Sequence, residues 1–188
     1  MTGQGGEGLS RRQWTGVAAV GIVAAVGGAL LSRHGGALLG NASAASAAAQ
    51  GAGPLPQPLQ TLDGRTITNA DIGDRSLLLN FWAPWCPPCV KEMPEIDRFA
   101  RSKAGARTLV IGVAIDEKPA VDKFIAAHPV GFPIAVLGYA GLAWVRRLSN
   151  DANVALPFSA VFDRSRKLVQ KKFGPTSEAE LSGWALHL

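Results

Sequence analysis

Cysteine is nearly missing from this chain: there are two in 188 residues, Cys86 and Cys89. That is too few for the several bridges that replace a core in small secreted scaffolds. It is also too few for a four-ligand structural zinc site, and the three histidines, His34, His128 and His187, have no spacing that would complete one. The formal net charge is +5, of which Glu7, Arg11, Arg12 and Arg33 contribute +2 before residue 51. The other cations are scattered through Lys91, Arg98, Arg101, Lys103, Arg146, Arg147 and residues 164–172. Nothing resembles a recognition helix or a basic sheet studded with aromatics, so nucleic acid is not expected as a partner. There is no internal repeat. What is left is a length that suits one ordinary domain with something appended.

The appendage is N-terminal. Ser10-Arg11-Arg12 precedes a run rich in Ala, Val and Gly, and 20 uncharged residues separate Arg12 from Arg33. That is enough to span the hydrocarbon core of a bilayer as a helix. Basic residues ahead of an apolar stretch, with small residues behind it, describe a bacterial export signal. The Ser-Arg-Arg start is similar to the twin-arginine type. Residues 1–40 are therefore expected to be an export signal or a membrane anchor. Full spanning length favours a retained anchor, while Ala42-Ser43-Ala44 and its neighbours offer cleavage sites. Either way the rest of the chain is expected on the periplasmic side of a bacterial inner membrane. Residues 41–58, rich in Ala and Ser and then in Pro and Gly, read as a flexible linker. The folded domain is expected over residues 59–188.

Within that domain strands and helices alternate. Leu59 to Ile67 predicts a hairpin turning at Asp63-Gly64. Ser76 to Trp82 and Thr108 to Ile115 are continuous apolar strands, as expected when both faces of a sheet are covered. Pro87 to about Lys103 predicts a helix with Val90, Met93, Ile96, Phe99 and Ala100 on one face. A short helix from Lys118 to His128, an edge strand from Phe132 to Leu137 and a helix from Gly141 to Leu148 follow. Two strands, Phe158–Phe162 and Lys167–Phe173, precede a closing helix capped by Ser177, with Glu180 at the spacing of a reciprocal capping box. The fold class is α/β: a central mixed sheet flanked by helices, with an N-terminal hairpin and a helix/strand insertion.

The two cysteines stand where a buried strand gives way to a helix. A helix N-terminus offers unpaired N–H groups and the positive end of the backbone dipole, which favour a thiolate over a thiol. Cys86 at the cap is thus expected to attack a substrate disulfide, and Cys89, one turn inside, to resolve the mixed disulfide. Pro87 and Pro88 between them carry no N–H, which removes both middle donors. Less thiolate stabilisation makes a less oxidising couple, so the pair is expected to act as a reductant.

The segment from Phe81-Trp82-Ala83-Pro84-Trp85 through Cys86-Pro87-Pro88-Cys89 to Pro94 resembles the active site of the thioredoxin superfamily. It is most similar to the membrane-tethered, extracytoplasmic TlpA/ResA-like thiol–disulfide oxidoreductases. The resemblance covers residues 55–188. It implies a thioredoxin-like fold, with a cis-proline at Pro157 facing the dithiol and the Leu156 backbone free to pair with a substrate peptide. It further implies that Trp85, Pro87 and Leu156 bind substrate. The superfamily's buried Asp before the motif is replaced by Asn80, which cannot take a proton. The resemblance offers instead an acid after the second long strand, Glu117, as acceptor for the Cys89 proton; the other reading of Glu117 is a solvated acid at a helix start.

These residues imply a protein-disulfide reductase acting on protein substrates of the cytochrome c or oxidase assembly type. It would use no cofactor and no metal, and would be re-reduced by an electron donor in the membrane. Two alternatives are a peroxiredoxin-like peroxidase and a copper metallochaperone holding the ion between Cys86 and Cys89. The peroxidase needs a Thr three residues before its cysteine, where this chain has Ala83.

Overall fold

The computed structural model describes residues 53–188; the leader at 1–40 and most of the proposed linker lie outside the described residues. Among the described residues no helix is long and apolar enough to cross a membrane.

The domain opens with a small antiparallel pair, β1 (Leu59–Gln60) and β2 (Thr66–Ile67). Their turn relies on Gly64, whose φ of 83° lies in the left-handed region. Seven residues, apolar except for Ser76 and Asn80 and buried throughout, then form β3 (Ser76–Trp82). Helix α1 (Pro87–Arg101) follows, then β4 (Thr108–Ala114), α2 (Lys118–Ala127) and β5 (Ile134–Val136). The chain continues through α3 (Gly141–Ser149), β6 (Phe158–Phe162), β7 (Leu168–Phe173) and α4 (Glu178–Ala185). The main sheet has the order β5-β4-β3-β6-β7. Strands β3, β4 and β5 run parallel, with Leu79 opposite Ile111, whereas β6 returns antiparallel and places Ala160 opposite Leu79 on the other side. The sheet is mixed, as expected.

Alternation along β3 divides the core. Leu77, Leu79 and Phe81 face a layer built from α3 and the N-terminal hairpin, with Trp144, Val145, Leu59 and Ile67. Leu78 and Trp82 face the opposite layer, where α1, α2 and α4 contribute Met93, Ile96, Phe99, Val121 and Leu181. Both cysteines belong to this second layer. Gly112 on β4 makes room for Trp82 there, since a Cβ would lie 3.2 Å from the indole nitrogen and 2.6 Å from Ile134.

Two expectations need correction. The fold begins before residue 59: Leu55, expected in the linker, is 1% exposed, and its N–H and C=O both bond the Asn69 side chain, at 3.0 and 2.9 Å. A proline-rich stretch cannot build a core, yet one leucine between prolines can enter an existing one. At the other end Ser177 caps α4 by accepting the Glu180 N–H at 3.2 Å. The Glu180 carboxylate does not complete a reciprocal box, because it reaches instead to Lys172 on β7.

Candidate active site

The dithiol sits on the loop leaving the C-terminal end of β3. The Cys86 N–H donates to the Ala83 carbonyl at 3.1 Å, which turns the chain out of the sheet. Cys86 then takes the extended cap position of α1, with φ −98° and ψ 101°. Pro87 and Pro88 fill the next two positions, where a missing N–H has no helical partner to lose. Cys89 supplies the first available donor, and its N–H points to Cys86 Sγ at 3.3 Å. The prolines therefore remove two donors and leave a third, which the reading of the middle residues alone did not count. The cysteines are joined, with an S–S distance of 2.04 Å and Cα atoms 5.3 Å apart. Their exposures differ: Cys86 keeps 4% of its surface at the rim, and Cys89 has 0%. Exchange chemistry needs this arrangement, one sulfur at the edge and its partner behind it.

Around the rim the surface is apolar. Trp85 is 57% exposed, and Pro87 and Pro88 are exposed beside it. The Leu156–Pro157 peptide bond is cis, as the resemblance implied. Phe158 pairs with Phe81, so the cis-proline loop comes alongside the end of β3 from which the dithiol departs. The Pro157 carbonyl accepts the Gly174 N–H at 2.9 Å, while the Leu156 N–H and C=O have no backbone partner among the described residues. Half-buried Leu156 packs against the layer that holds both cysteines.

Beneath the dithiol lies an acid missed by the reading of α1 as an apolar face. Glu92 follows Cys89 by three residues, and i,i+3 neighbours share a helix face. It is 1% exposed. Its Oε1 accepts the Asn80 amide at 2.8 Å, and its Oε2 accepts the Thr176 N–H at 2.7 Å and the Thr176 hydroxyl at 3.2 Å. Burial pushes its carboxyl above the ordinary value, against the pull of these donors and of the Lys172 charge. The missed signal was the spacing: Cys86, Cys89, Glu92 and Ile96 form one buried stripe.

Glu117 stands elsewhere. It is the N-cap residue of α2, its side chain is exposed, and it makes no side-chain hydrogen bond among the described residues. Those are the surroundings of a solvated acid at a helix start. The structure thus gathers Trp85, Cys86, Pro87, Cys89, Leu156 and Pro157 around the C-terminal end of the central strand β3, adds Glu92, which bonds Asn80 of that strand, and leaves Glu117 exposed at the start of α2.

The Redoxin family profile matches residues 42–184 of the chain. Thiol-disulfide oxidoreductase ResA of Bacillus anthracis is 28% identical over 130 residues, which cover 65% of this chain and 69% of that protein. Sporulation thiol-disulfide oxidoreductase A of Bacillus subtilis (strain 168) is 25% identical over 130 residues, covering 67% and 75%. Among solved structures, MTB dsbF in its mixed oxidized and reduced forms superimposes with a TM-score of 0.59 at 27% identity, over 71% of this chain and 96% of that one. StoA from Bacillus subtilis superimposes at 0.56 with 24% identity, over 68% and 93%.

Proposed function

Because the chain belongs to the Redoxin family and is a thiol–disulfide oxidoreductase of the ResA/StoA kind, we propose that it reduces disulfides of protein substrates outside the cytoplasmic membrane. The observation that carries the direction is the cap of α1, where, among the described residues, a single N–H, from Cys89, reaches the Cys86 sulfur. A thiolate held by few donors is a modest leaving group and a good reductant.

In the reduced protein the Cys86 thiolate attacks one sulfur of the substrate disulfide. The other substrate sulfur leaves as a thiolate and takes a proton from solvent. Cys89 then gives its proton to the Glu92 carboxylate and attacks Cys86 Sγ. That displaces the second substrate thiolate and closes the Cys86–Cys89 bridge. Two electrons pass from protein to substrate, and Glu92 afterwards releases its proton. The role of proton acceptor thus goes to Glu92 in place of Glu117. Trp85, Pro87 and the open Leu156 backbone hold the substrate chain beside Pro157.

The uncharged N-terminal stretch supports an anchored or exported protein, and periplasmic thiols need a donor in the membrane to stay reduced. The resemblance to TlpA/ResA-like proteins points to substrates of cytochrome c or oxidase assembly. The reduction potential tests the direction. A value well below that of a strong oxidase, roughly −120 mV, is expected, and a value near it overturns the reductase reading. Cys89→Ser should trap mixed disulfides with substrate proteins in the periplasm, identifiable by mass spectrometry, whereas Cys86→Ser should trap none.

A further inference from the structure

Asn80 has an unexplained atom. The residue is fully buried on β3, opposite Ser159 of β6 and facing the layer that contains the cysteines. Both protons of its amide are placed: one goes to Glu92 Oε1 at 2.8 Å, the other to Ser159 Oγ at 3.3 Å. Its carbonyl oxygen, Oδ1, is buried with no partner among the described residues. A buried acceptor left unpaired is costly, and an apolar residue in the same space would avoid that cost. The amide suits an ionised Glu92, yet exchange requires Glu92 to accept a proton, and a carboxyl protonated on Oε1, the oxygen that faces Asn80, would meet the NH2 group donor to donor.

We propose that the Asn80 carboxamide is a reversible donor–acceptor that turns over when Glu92 gains or loses its proton. With Glu92 ionised, the NH2 group donates to Glu92 and to Ser159. With Glu92 protonated, a half-turn about the last side-chain bond brings Oδ1 to the same two partners. It then accepts the carboxyl O–H of Glu92 and the hydroxyl of Ser159. The two ends of the amide have nearly the same shape, so no repacking is needed. Serine follows, because its hydroxyl accepts in one state and donates in the other. In each state one end of the amide is unpaired, the oxygen or the nitrogen, so the penalty is carried on both sides of the proton transfer and biases neither. An Asp at this position would put a second negative charge against Glu92, and a Leu would support only the neutral acid.

The groups facing Glu92 are few. Cys89 lies on its own helix, Lys172 comes from β7 paired with Glu180 of α4, and Thr176 donates from the segment before α4. Strands β3 and β6 contribute the neutral pair Asn80 and Ser159. Lys172 and the Thr176 N–H favour the carboxylate in a fixed way; the Thr176 hydroxyl can turn over only toward Oε2, and on the Oε1 side Asn80 and Ser159 are the partners able to change polarity.

This inference rests on the reading of Glu92 as the proton acceptor of Cys89, and its test does not depend on turnover. In the reduced, isotope-labelled full chain, the Glu92 carboxyl carbon is followed by NMR through its titration, together with contacts from the Asn80 amide protons to Glu92 and Ser159. Those contacts should be strong above the Glu92 midpoint and lost below it, with the same midpoint. Contacts unchanged at both ends of the titration would mean a fixed amide and overturn the proposal. In a second measurement, Asn80→Leu should shift the pH profile of Cys89 reactivity upward by about tenfold in proton concentration, as loss of a bond to a charged acceptor implies. The shift should vanish in Asn80→Leu combined with Glu92→Gln. If it persists there, Asn80 does not act through Glu92. A chain that fails to exchange disulfides but still turns its amide over would sink the enzymatic reading and leave this one standing.

Discussion

The carboxylate of Glu92 receives the backbone N–H of Thr176 at 2.7 Å, 84 positions further along the chain. That bond ties the segment before α4 to the helix that carries the dithiol. One turn on, the Glu178 N–H donates to Glu95 at 3.1 Å, and Arg98 joins Glu95 and Glu178. The acid beneath Cys89 is therefore held from the sheet by Asn80 and from the C-terminal segment by Thr176.

Glu92→Gln should fold, because Gln can keep its oxygen toward Thr176 and turn its NH2 toward a reversed Asn80. The variant lacks the proton acceptor. Release of substrate from the mixed disulfide should slow by on the order of 10²-fold, the lower part of the range for a positioned base. Formation of the mixed disulfide by Cys86 should be little changed, and rapid-mixing kinetics separates the two steps.

The same substitution changes how stability depends on pH. Burial holds the Glu92 carboxyl above its ordinary value, so the folded protein keeps a proton that the unfolded chain has already lost. Between the ordinary value and the raised one, the folded state binds more protons, and stability from this group falls as pH rises. Above the raised value the contribution is level. Urea midpoints measured across that window should decline less steeply with rising pH in Glu92→Gln than in the parent.

Much of the site was legible because its chemistry is local. Cys86, Pro87, Pro88 and Cys89 adjoin a strand whose burial follows from Leu77, Leu78 and Leu79. Pro157 was placed by the resemblance to the thioredoxin superfamily, matched at its position before the strand Phe158–Phe162. Glu92 was hidden because a charged letter in an amphipathic helix ordinarily faces water, and its partners Asn80 and Thr176 lie 12 and 84 positions away. Leu55 was hidden for a related reason: its neighbours Pro54 and Pro56 read as linker, and only Asn69, 14 positions on, shows that the segment is fastened. Long-range polar contacts leave no period in the sequence.

Leu55→Ala tests that fastening. The side chain is buried in the layer with Leu59 and Ile72, so its loss should cost about 2–5 kcal/mol, the range for large-to-small changes in a core. A domain cut at residue 59 should be destabilised at least as much as Leu55→Ala, and a domain starting at residue 53 should not. Equal thermal midpoints for the two truncations would place Leu55 outside the cooperative unit.

Trp85 makes the opposite case, a large side chain kept in solvent beside the reactive sulfur. Trp85→Ala should leave stability within about 0.5 kcal/mol, as for an exposed site. Recognition of protein substrates should suffer, since exposed aromatics carry much of an interface's energy: about a tenfold loss in kcat/KM is expected. Exchange with a small disulfide reagent, which needs no docking surface, should be nearly unaffected. Equal losses on both substrates would show that the indole acts on the sulfur itself.

The two prolines of the motif should prove unequal. A cap side chain accepts hydrogen bonds from the second and third helical N–H groups, and here the third, from Cys89, already reaches Cys86 Sγ at 3.3 Å. Pro88 occupies the second position, so Pro88→Ala restores a donor aimed at the sulfur, whereas Pro87→Ala restores one at the first position that the cap does not use. A bond to a charged acceptor contributes about 1.5–3 kcal/mol, and for a two-electron couple about 1.4 kcal/mol corresponds to 30 mV. Pro88→Ala should accordingly lower the Cys86 pKa and raise the reduction potential by roughly 30 mV or more, where the thiolate is populated. Pro87→Ala should change both far less. Equal shifts from the two substitutions would mean that the helix dipole, and not a specific N–H at the cap, sets the reducing power of the pair.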